Sequence, residues 1–243
     1  MDTFIRKISR VLSFIVVFIF SAFLYFNFKG FTVNPNGEIV LRQQVANAAE
    51  KNGIATVLPS NLNINASKKF AVGDVNAPLT MYEFSSLGCP HCADFHLDVV
   101  PELEKEYVKK GLLRIVFVNF PLDKKSMNAA LLLNCMTAEN YHGYLKRLFE
   151  KQRFWYLAKN NTPLLRYAAE YGLSYDEGES CLSNDREAKD IIADRQQGID
   201  QLKMEGTPAF LFSGIDGNEI IYGAPSFKSL KEYLDTRLEK MGK

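Results

Sequence analysis

The residues best suited to chemistry in this sequence are the two cysteines of the stretch Cys89-Pro90-His91-Cys92. Residues 79–84, just upstream, have the half-apolar, β-branched and aromatic composition of a strand, and a glycine-containing turn follows them. Downstream, apolar residues at helical spacing predict a helix over about residues 92–110. Cys89 would therefore lie at a helix N-terminus, where free N–H groups and the helix dipole favour an anion.

This placement predicts a reactive thiol. The thiolate is the nucleophile in thiol exchange, and a helix N-terminus or an adjacent imidazolium such as that of His91 lowers a cysteine pKa to roughly 3.5–7.5. A zinc site and a buried structural disulfide are the alternatives. Zinc needs two further ligands, and neither Cys135 and Cys181 nor His96 and His142 form a second ligand pair. We therefore favour a redox-active cysteine pair that uses no cofactor.

Composition limits the class of protein. The chain has 243 residues, 47% of them hydrophobic, which is enough for one large domain or two small ones. Its 29 basic and 28 acidic residues leave no charge excess that would point to nucleic acid or to acidic partners.

The N-terminus has the features of a targeting segment. Arg6, Lys7 and Arg10 precede residues 11–28, which carry no charged side chain. Such a segment is an export signal or a membrane anchor with its basic end in the cytoplasm. The sequence leaves both possibilities open for residues 1–30. In either case we expect the rest of the chain to lie outside the cytoplasm, in the periplasm.

Export also bears on the two remaining cysteines. Disulfides persist in exported compartments, so the four cysteines divide into one reactive pair and one partner pair, Cys135 with Cys181. Bridging these two would close a loop worth about 4 kcal/mol in chain entropy. We expect this pair to be a structural disulfide between two helices.

The other elements fall into successive groups along the chain. Residues 31–70 have the composition of a spacer, with a short helix predicted over residues 38–52 that could serve oligomerisation. Residues 71–120 predict a βαβ unit with parallel strands. Residues 121–203 are helical in pattern, and residues 204–243 predict a hairpin and a final helix. One sheet would thus be built from both ends of the chain, with the helices inserted between them.

Over residues 70–243 the sequence resembles the DsbA-like thiol–disulfide oxidoreductases. Three features carry the resemblance: the Cys-Pro-His-Cys motif, the helical insertion, and Gly206-Thr207-Pro208 ahead of the third strand. The second pair, Cys135 and Cys181, is further similar to an alphaproteobacterial subgroup of that class. The resemblance implies an α/β thioredoxin fold, a central mixed sheet in β-α-β and β-β-α halves, with an inserted all-helical domain.

The resemblance also assigns roles at the motif. Cys89 is implied to be the more exposed cysteine and the one that a substrate thiolate attacks, while Cys92 resolves the mixed disulfide. His91 is implied to stabilise the Cys89 thiolate, which favours the reduced form and makes the disulfide oxidising. Pro90 completes the motif, at a helix position where its missing N–H costs nothing.

Other positions also match residues of that class. Pro208 is expected to follow a cis bond and to face the cysteine pair, and the backbone of Thr207 to pair with an extended substrate strand. Glu83 matches a buried acid that could relay the proton of Cys92. Burial would raise its pKa, whereas an edge strand would leave it exposed. We expect His96 to be solvated or packed rather than catalytic.

Three functions remain open from the sequence. The first is an oxidase that forms disulfides in unfolded or reduced exported proteins and is reoxidised by a DsbB-like, quinone-linked membrane partner. The second is a disulfide isomerase or reductase, kept reduced by a membrane electron donor and oligomerised through residues 31–70; threonine at position 207 also occurs in isomerases. The third is a non-enzymatic module that holds a metal or a thiol. We favour the oxidase, with a possible membrane tether through residues 11–28.

Overall fold

The computed structural model describes residues 31–33, 39–41, 55–59, 62 and 70–243, the first two segments through their backbone only. Two units are distinguished, residues 1–54 and residues 55–243. In the first unit, β1 (Phe31–Val33) pairs antiparallel with β2 (Ile39–Leu41). The second unit contains all the predicted site residues.

Strand β2 corrects one expectation. We predicted a short helix over residues 38–52, but residues 39–41 are extended and paired. Two of these three residues are β-branched, which favours a strand. The rest of that predicted helix lies outside the described residues, and so do residues 1–30 with the predicted signal or anchor. Among the residues that are described, no helix is long and apolar enough to cross a membrane.

The second unit is built on a six-stranded mixed sheet in the order β3-β8-β7-β5-β6-β4. Its strands are β3 (Ala55–Leu58), β4 (Phe70–Val72), β5 (Leu79–Ser85), β6 (Leu113–Asn119), β7 (Ala209–Gly214) and β8 (Gly217–Tyr222). Strands β5 and β6 are parallel, and the other neighbouring pairs are antiparallel. The central strand β5 lies between β6 and β7, so both ends of the chain complete one sheet as predicted.

The edge strand β3 was not expected, because its residues lie within the predicted spacer. It pairs with β8 from Ala55 opposite Ile221 to Leu58 opposite Asn218. Four residues are too few to give a clear alternation of apolar and polar side chains. The end of the predicted spacer therefore belongs to the sheet.

The helices surround this sheet. α1 (Pro90–Asp94), a π-helical segment (Phe95–Val99), α2 (Val100–Leu103) and a second π-helical segment (Glu104–Val108) follow one another directly and are together called the first helix. The insertion contains α3 (Lys124–Asn134), α4 (Ala138–Glu150), α5 (Gln152–Tyr156), α6 (Thr162–Glu170), α7 (Tyr175–Leu182) and α8 (Asp185–Leu202), and α9 (Phe227–Lys240) ends the chain. This order confirms the predicted thioredoxin fold with a helical insertion.

The first helix is less regular than its sequence pattern predicted. Pro101 has no N–H to donate to the preceding turn, and the π-helical turn Phe95–Val99 ends two residues before it. Within that turn two consecutive residues, Phe95 and His96, are both buried. Such π turns often occur at functional sites.

Alternation along β7 separates two layers of the core. The ring of Phe95 lies 4.2 Å from that of Phe210, and the ring of Tyr233 in α9 lies 4.9 Å from that of Phe212. The first helix and α9 therefore cover the same face of the sheet. Ala209 and Leu211 alternate with Phe210 and Phe212 along β7 and so lie on its opposite face. They belong to a cluster that also contains Phe84, Leu202 and Met204.

A buried charge joins α9 to the β7–β8 turn. The Arg237 guanidinium, 3% exposed, donates hydrogen bonds of 2.7 Å to both carboxylate oxygens of Asp216 and one of 2.6 Å to the Gly217 carbonyl. The hydrogen bonds from Arg237 lower the pKa of Asp216. This pair fixes the last helix against the hairpin.

Replacing Asp216 by asparagine should lower the free energy of unfolding by about 3 kcal/mol, because the buried Arg237 then loses its hydrogen-bonded carboxylate and keeps the more distant Glu219, at 3.8 Å. The matched control Glu150→Gln removes an exposed pair with Lys146, at 3.8 Å, and should cost about 0.5 kcal/mol or less. Urea unfolding at pH 7 measures both. Equal free energies for Asp216→Asn and the unmodified protein would contradict the prediction.

The difference in unfolding free energy between Asp216→Asn and the unmodified protein should also depend on pH. The folded-state pKa of Asp216 is lowered, so its stabilisation is complete above the unfolded-state value of about 3.9 and is lost as the pH falls through the folded-state value. The gap between Asp216→Asn and the unmodified protein should therefore shrink on acidification.

The insertion is cross-linked, as the sequence predicts. Cys135, directly after α3, and Cys181, in α7, form a disulfide with their Cα atoms 6.4 Å apart. Both residues are partly exposed. The bond joins two helices that are 46 residues apart in sequence.

Removing this disulfide by the double substitution Cys135→Ala and Cys181→Ala should lower the unfolding free energy by about 2–5 kcal/mol. Thiol exchange by the folded variant should persist, because no hydrogen bond or disulfide in the described part of the chain joins either cysteine to residues 89–92. Urea unfolding and a thiol-exchange assay test the two parts. Complete loss of exchange in a folded variant would show that the second pair takes part in the reaction.

Candidate active site

Cys89 and Cys92 are free thiols at the start of the first helix. Cys89 is the N-cap of α1 and Pro90 occupies its first turn. Pro90 and His91 are exposed, whereas Cys89 is 8% exposed and Cys92 0%. Of the two sulfurs, an incoming thiol can therefore reach only that of Cys89.

The environment of Cys89 favours its thiolate. A hydrogen bond from the Cys92 thiol is the largest of the effects that lower the pKa of Cys89 to about 5, and burial opposes it. The Thr207 side chain and the backbone N–H groups of Cys92 and His91 lower it further. The backbone N–H of His91 is thus one of these contributions, and stabilisation of the thiolate by its side chain, which the resemblance implies, stays a prediction.

Cys92 has the opposite character. Burial raises the pKa of its thiol far above the usual range, and the neighbouring Cys89 raises it further. Cys92 therefore keeps its proton at neutral pH and can donate it in the hydrogen bond to Cys89. The two thiols form one asymmetric pair.

The predicted cis-proline loop lies opposite the pair. The Thr207–Pro208 bond is cis, and the Cys89 sulfur lies 3.4 Å from the Thr207 carbonyl oxygen, to which the protonated thiol can donate a hydrogen bond. A groove of about 470 Å³ runs beside this loop, with Lys203, Glu205 and Tyr222 among its lining residues. Folding thus brings together two segments separated by 118 positions.

Glu83 lies beneath the motif in the central strand β5. It is 0% exposed, so the alternative of an exposed edge strand is wrong. His96 is 9% exposed, and its Nδ1 atom lies 3.9 Å from Glu83 Oε2. His96 is therefore packed in the protein interior, which is one of the two environments expected for it. Its nearness to Glu83 was not predicted, although its position four residues after the inward-facing Cys92 was a signal for it.

The contacts by which the insertion holds the active-site turn were not predicted. Gln152 Nε2, in α5, donates hydrogen bonds to the carbonyls of Leu87 at 2.8 Å and Cys89 at 3.0 Å. A Cβ atom at Gly88 would lie 2.7 Å from the Tyr156 ring and against the Ser126 hydroxyl. The turn therefore requires glycine because the insertion approaches it closely.

A metal site is not formed by the described residues: no three His, Cys, Asp or Glu side chains cluster in that part of the chain.

Comparison with known proteins agrees with this geometry. The model of the thioredoxin family matches residues 65–236. A predicted protein-disulfide oxidoreductase of Rickettsia typhi is 26% identical over 184 residues, which are 75% of this chain and 67% of that protein. The chain covers between 54% and 64% of four further Rickettsia relatives.

Two solved structures share the fold. α-DsbA1 of Wolbachia pipientis is 28% identical with a TM-score of 0.66, over 73% of this chain and 95% of that one. A protein-disulfide isomerase of Novosphingobium aromaticivorans is 25% identical with a TM-score of 0.61, over 72% of this chain and 99% of that one. The chain therefore belongs to the thioredoxin family, and within it to the DsbA-like thiol–disulfide oxidoreductases.

Proposed function

We propose that this protein is an exported oxidase that transfers the Cys89–Cys92 disulfide to reduced or unfolded exported proteins. A substrate thiolate attacks Cys89 and forms a mixed disulfide, and a second substrate thiolate then releases Cys89. The reduced pair is afterwards reoxidised by a separate partner. No cofactor beyond the cysteine pair takes part.

The observation that carries this proposal is the low pKa of Cys89 beside the buried thiol of Cys92. At pH 7 a thiol with a pKa of about 5 is about 99% ionised. A stabilised thiolate is a good leaving group and stabilises the reduced protein, so the disulfide is a strong oxidant. Such a pair donates its disulfide more readily than it receives one.

The groove beside the cis proline supports a protein substrate. An extended segment could pair with the backbone of Thr207 and bring its thiol to Cys89, which already lies 3.4 Å from the Thr207 carbonyl. Lys203 and Glu205 at the groove would add charge contacts. We propose that Pro208 shapes this surface. Cys92 is the leaving thiol when a substrate thiolate attacks Cys89, and it resolves the mixed disulfide in the reverse direction, when Cys89 has attacked a substrate disulfide.

Residues 11–28 support export to the periplasm, because they form an uncharged run after a basic end. They would serve as a signal or as an inner-membrane tether. In that compartment a DsbB-like, quinone-linked membrane protein is the partner that the oxidase role requires.

A disulfide isomerase or reductase, supplied by a membrane reductant, is the second candidate. It is favoured by the Novosphingobium neighbour, which is named an isomerase, and by the resemblance at Thr207, a position that carries threonine in isomerases. Oligomerisation through residues 31–70 would belong to this candidate.

The two candidates predict different products from one experiment. The full chain in detergent is added in its reduced form to scrambled ribonuclease, and in its disulfide form to reduced ribonuclease. An oxidase should oxidise the reduced ribonuclease rapidly and recover little activity from the scrambled one. Strong recovery from scrambled ribonuclease would contradict the oxidase and support the isomerase.

Single substitutions test the roles of the two thiols in the same assay. Cys89→Ser should abolish exchange, and Cys92→Ser should accumulate a mixed disulfide with the substrate, visible on non-reducing gels. The control Cys135→Ser should retain exchange. Normal turnover by Cys89→Ser would show that another residue is the nucleophile.

A further inference from the structure

Glu83 and His96 form a buried pair under the start of the first helix. Glu83 lies between Phe117 and Phe210 in the register of the sheet. The His96 ring packs against Phe117 and Phe149, with centroids 5.4 and 5.0 Å apart. The two groups thus share one apolar site, with 3.9 Å between Nδ1 and Oε2.

The atoms by which Glu83 and His96 face each other have no hydrogen-bond partner in the described part of the chain. They are the two carboxylate oxygens of Glu83 and the Nδ1 atom of His96, all of them buried. An ionised carboxylate in such a site is strongly unfavourable unless a positive charge or a proton accompanies it. His96 is the basic side chain that the structure places beside it.

One polar group, the Ser85 hydroxyl, lies on the same side of the sheet as this pair and acts on Cys92; among the described residues its oxygen is buried without a hydrogen-bond partner. Ser85 lies two residues beyond Glu83 on β5 and so on the same face of the sheet. Burial raises the pKa of Cys92, and the Ser85 hydroxyl acts against that effect. Glu83 and Ser85 also line an internal cavity of about 10 Å³, close to the roughly 10–15 Å³ that one water needs.

We propose that His96 is a positioning residue for proton transfer at Cys92: together with Glu83 it holds one exchangeable proton that moves to the Cys92 sulfur and back. This inference rests on the proposed function, because it specifies a step of that exchange. The resemblance implies the relay through Glu83, and the new element is His96, which keeps that proton available.

In the direction of substrate oxidation, one disulfide bond breaks and one forms. A thiolate attacks Cys89, the Cys89–Cys92 bond breaks, and a Cys89–substrate disulfide forms. Cys92 leaves with the electron pair and takes the proton of the Glu83–His96 pair. On reoxidation Cys92 returns its proton to the pair.

The other titratable groups facing the pair come from α4. Burial, with the charge of Glu83 as a second cause, raises the pKa of Tyr141, so this phenol stays protonated. Burial, with His96 as a second cause, lowers the pKa of His142, so this imidazole stays neutral near pH 7. Neither group replaces His96 beside Glu83.

The test uses the oxidised full chain in detergent, reduced by glutathione. Samples are quenched with acid, and mass spectrometry measures the rate at which the mixed disulfide with glutathione forms. The first step, formation of the mixed disulfide, requires a proton at Cys92. His96→Asn keeps a polar group near the Nδ1 position but does not titrate, and should slow this step at pH 7 by roughly tenfold; Glu83→Gln should slow it by about 100-fold. The deficit should shrink as the pH falls, because solvent protons then replace the internal donor.

Two controls separate proton transfer from general damage. Reduction of the glutathione mixed disulfide of Cys92→Ser requires no proton at position 92, and adding His96→Asn should leave its rate unchanged. His142→Asn should leave the first step within about twofold of the unmodified protein, well short of a general acid–base effect. If His96→Asn does not fold, His96→Gln is measured instead.

The double variant Glu83→Gln and His96→Asn should be no slower than Glu83→Gln alone, because the two act as one unit. Three results would each overturn the inference. The first is an unchanged rate and pH dependence in His96→Asn, and the second is equal slowing of mixed-disulfide formation and of mixed-disulfide reduction. The third is a double variant in which the two single effects multiply. Failure of the unmodified protein to form a mixed disulfide would instead refute the proposed function.

Discussion

The hydrogen bond from the Cys92 thiol to the sulfur of Cys89 is the interaction on which the rest of the site depends. Cys92 can donate it because complete burial raises the pKa of its thiol, so the proton stays. Cys89 benefits because that proton, with backbone N–H groups at the helix N-terminus, stabilises negative charge on its sulfur. Burial of one thiol thus activates the other.

Several elements of the fold maintain the difference in burial between Cys89 and Cys92. The first helix and the central strand bury Cys92, while the cis-proline loop lies against Cys89, with the Thr207 carbonyl oxygen 3.4 Å from its sulfur. The insertion secures the turn before Cys89 through the two hydrogen bonds of Gln152. The insertion is therefore part of the site's support and not only a cap beside it.

Beneath the pair, the exchange creates a demand for protons that the solvent cannot meet directly, because Cys92 is 0% exposed. The buried carboxylate of Glu83 is on the same face of the sheet as Ser85, which acts on the Cys92 thiol. The internal route that we propose for the proton of Cys92 is a consequence of the same burial that activates Cys89. Such a route gives a physical reason for retaining a costly buried carboxylate in the core.

Much of this arrangement follows from local sequence, and some of it does not. The motif, the strand before it and the helix after it are local patterns, so the position of Cys89 at a helix start could be predicted. The cis bond at Pro208 was predicted from the family resemblance and not from the local pattern, because a proline at a strand start is usually trans. Strand β3, the role of Gln152 and the contact of His96 with Glu83 depend on pairings between distant segments, which local patterns do not encode.

The most direct test of the central claim is a titration of Cys89 in the reduced protein, followed by the ultraviolet absorbance of its thiolate, with and without Cys92→Ala. The asymmetric pair predicts a midpoint of about 5 in the unmodified protein, and a clear rise towards the ordinary value of 9.0 when the Cys92 thiol is removed. A midpoint near 9.0 in the unmodified protein, or one that Cys92→Ala leaves unchanged, would contradict the claim that the buried thiol activates Cys89.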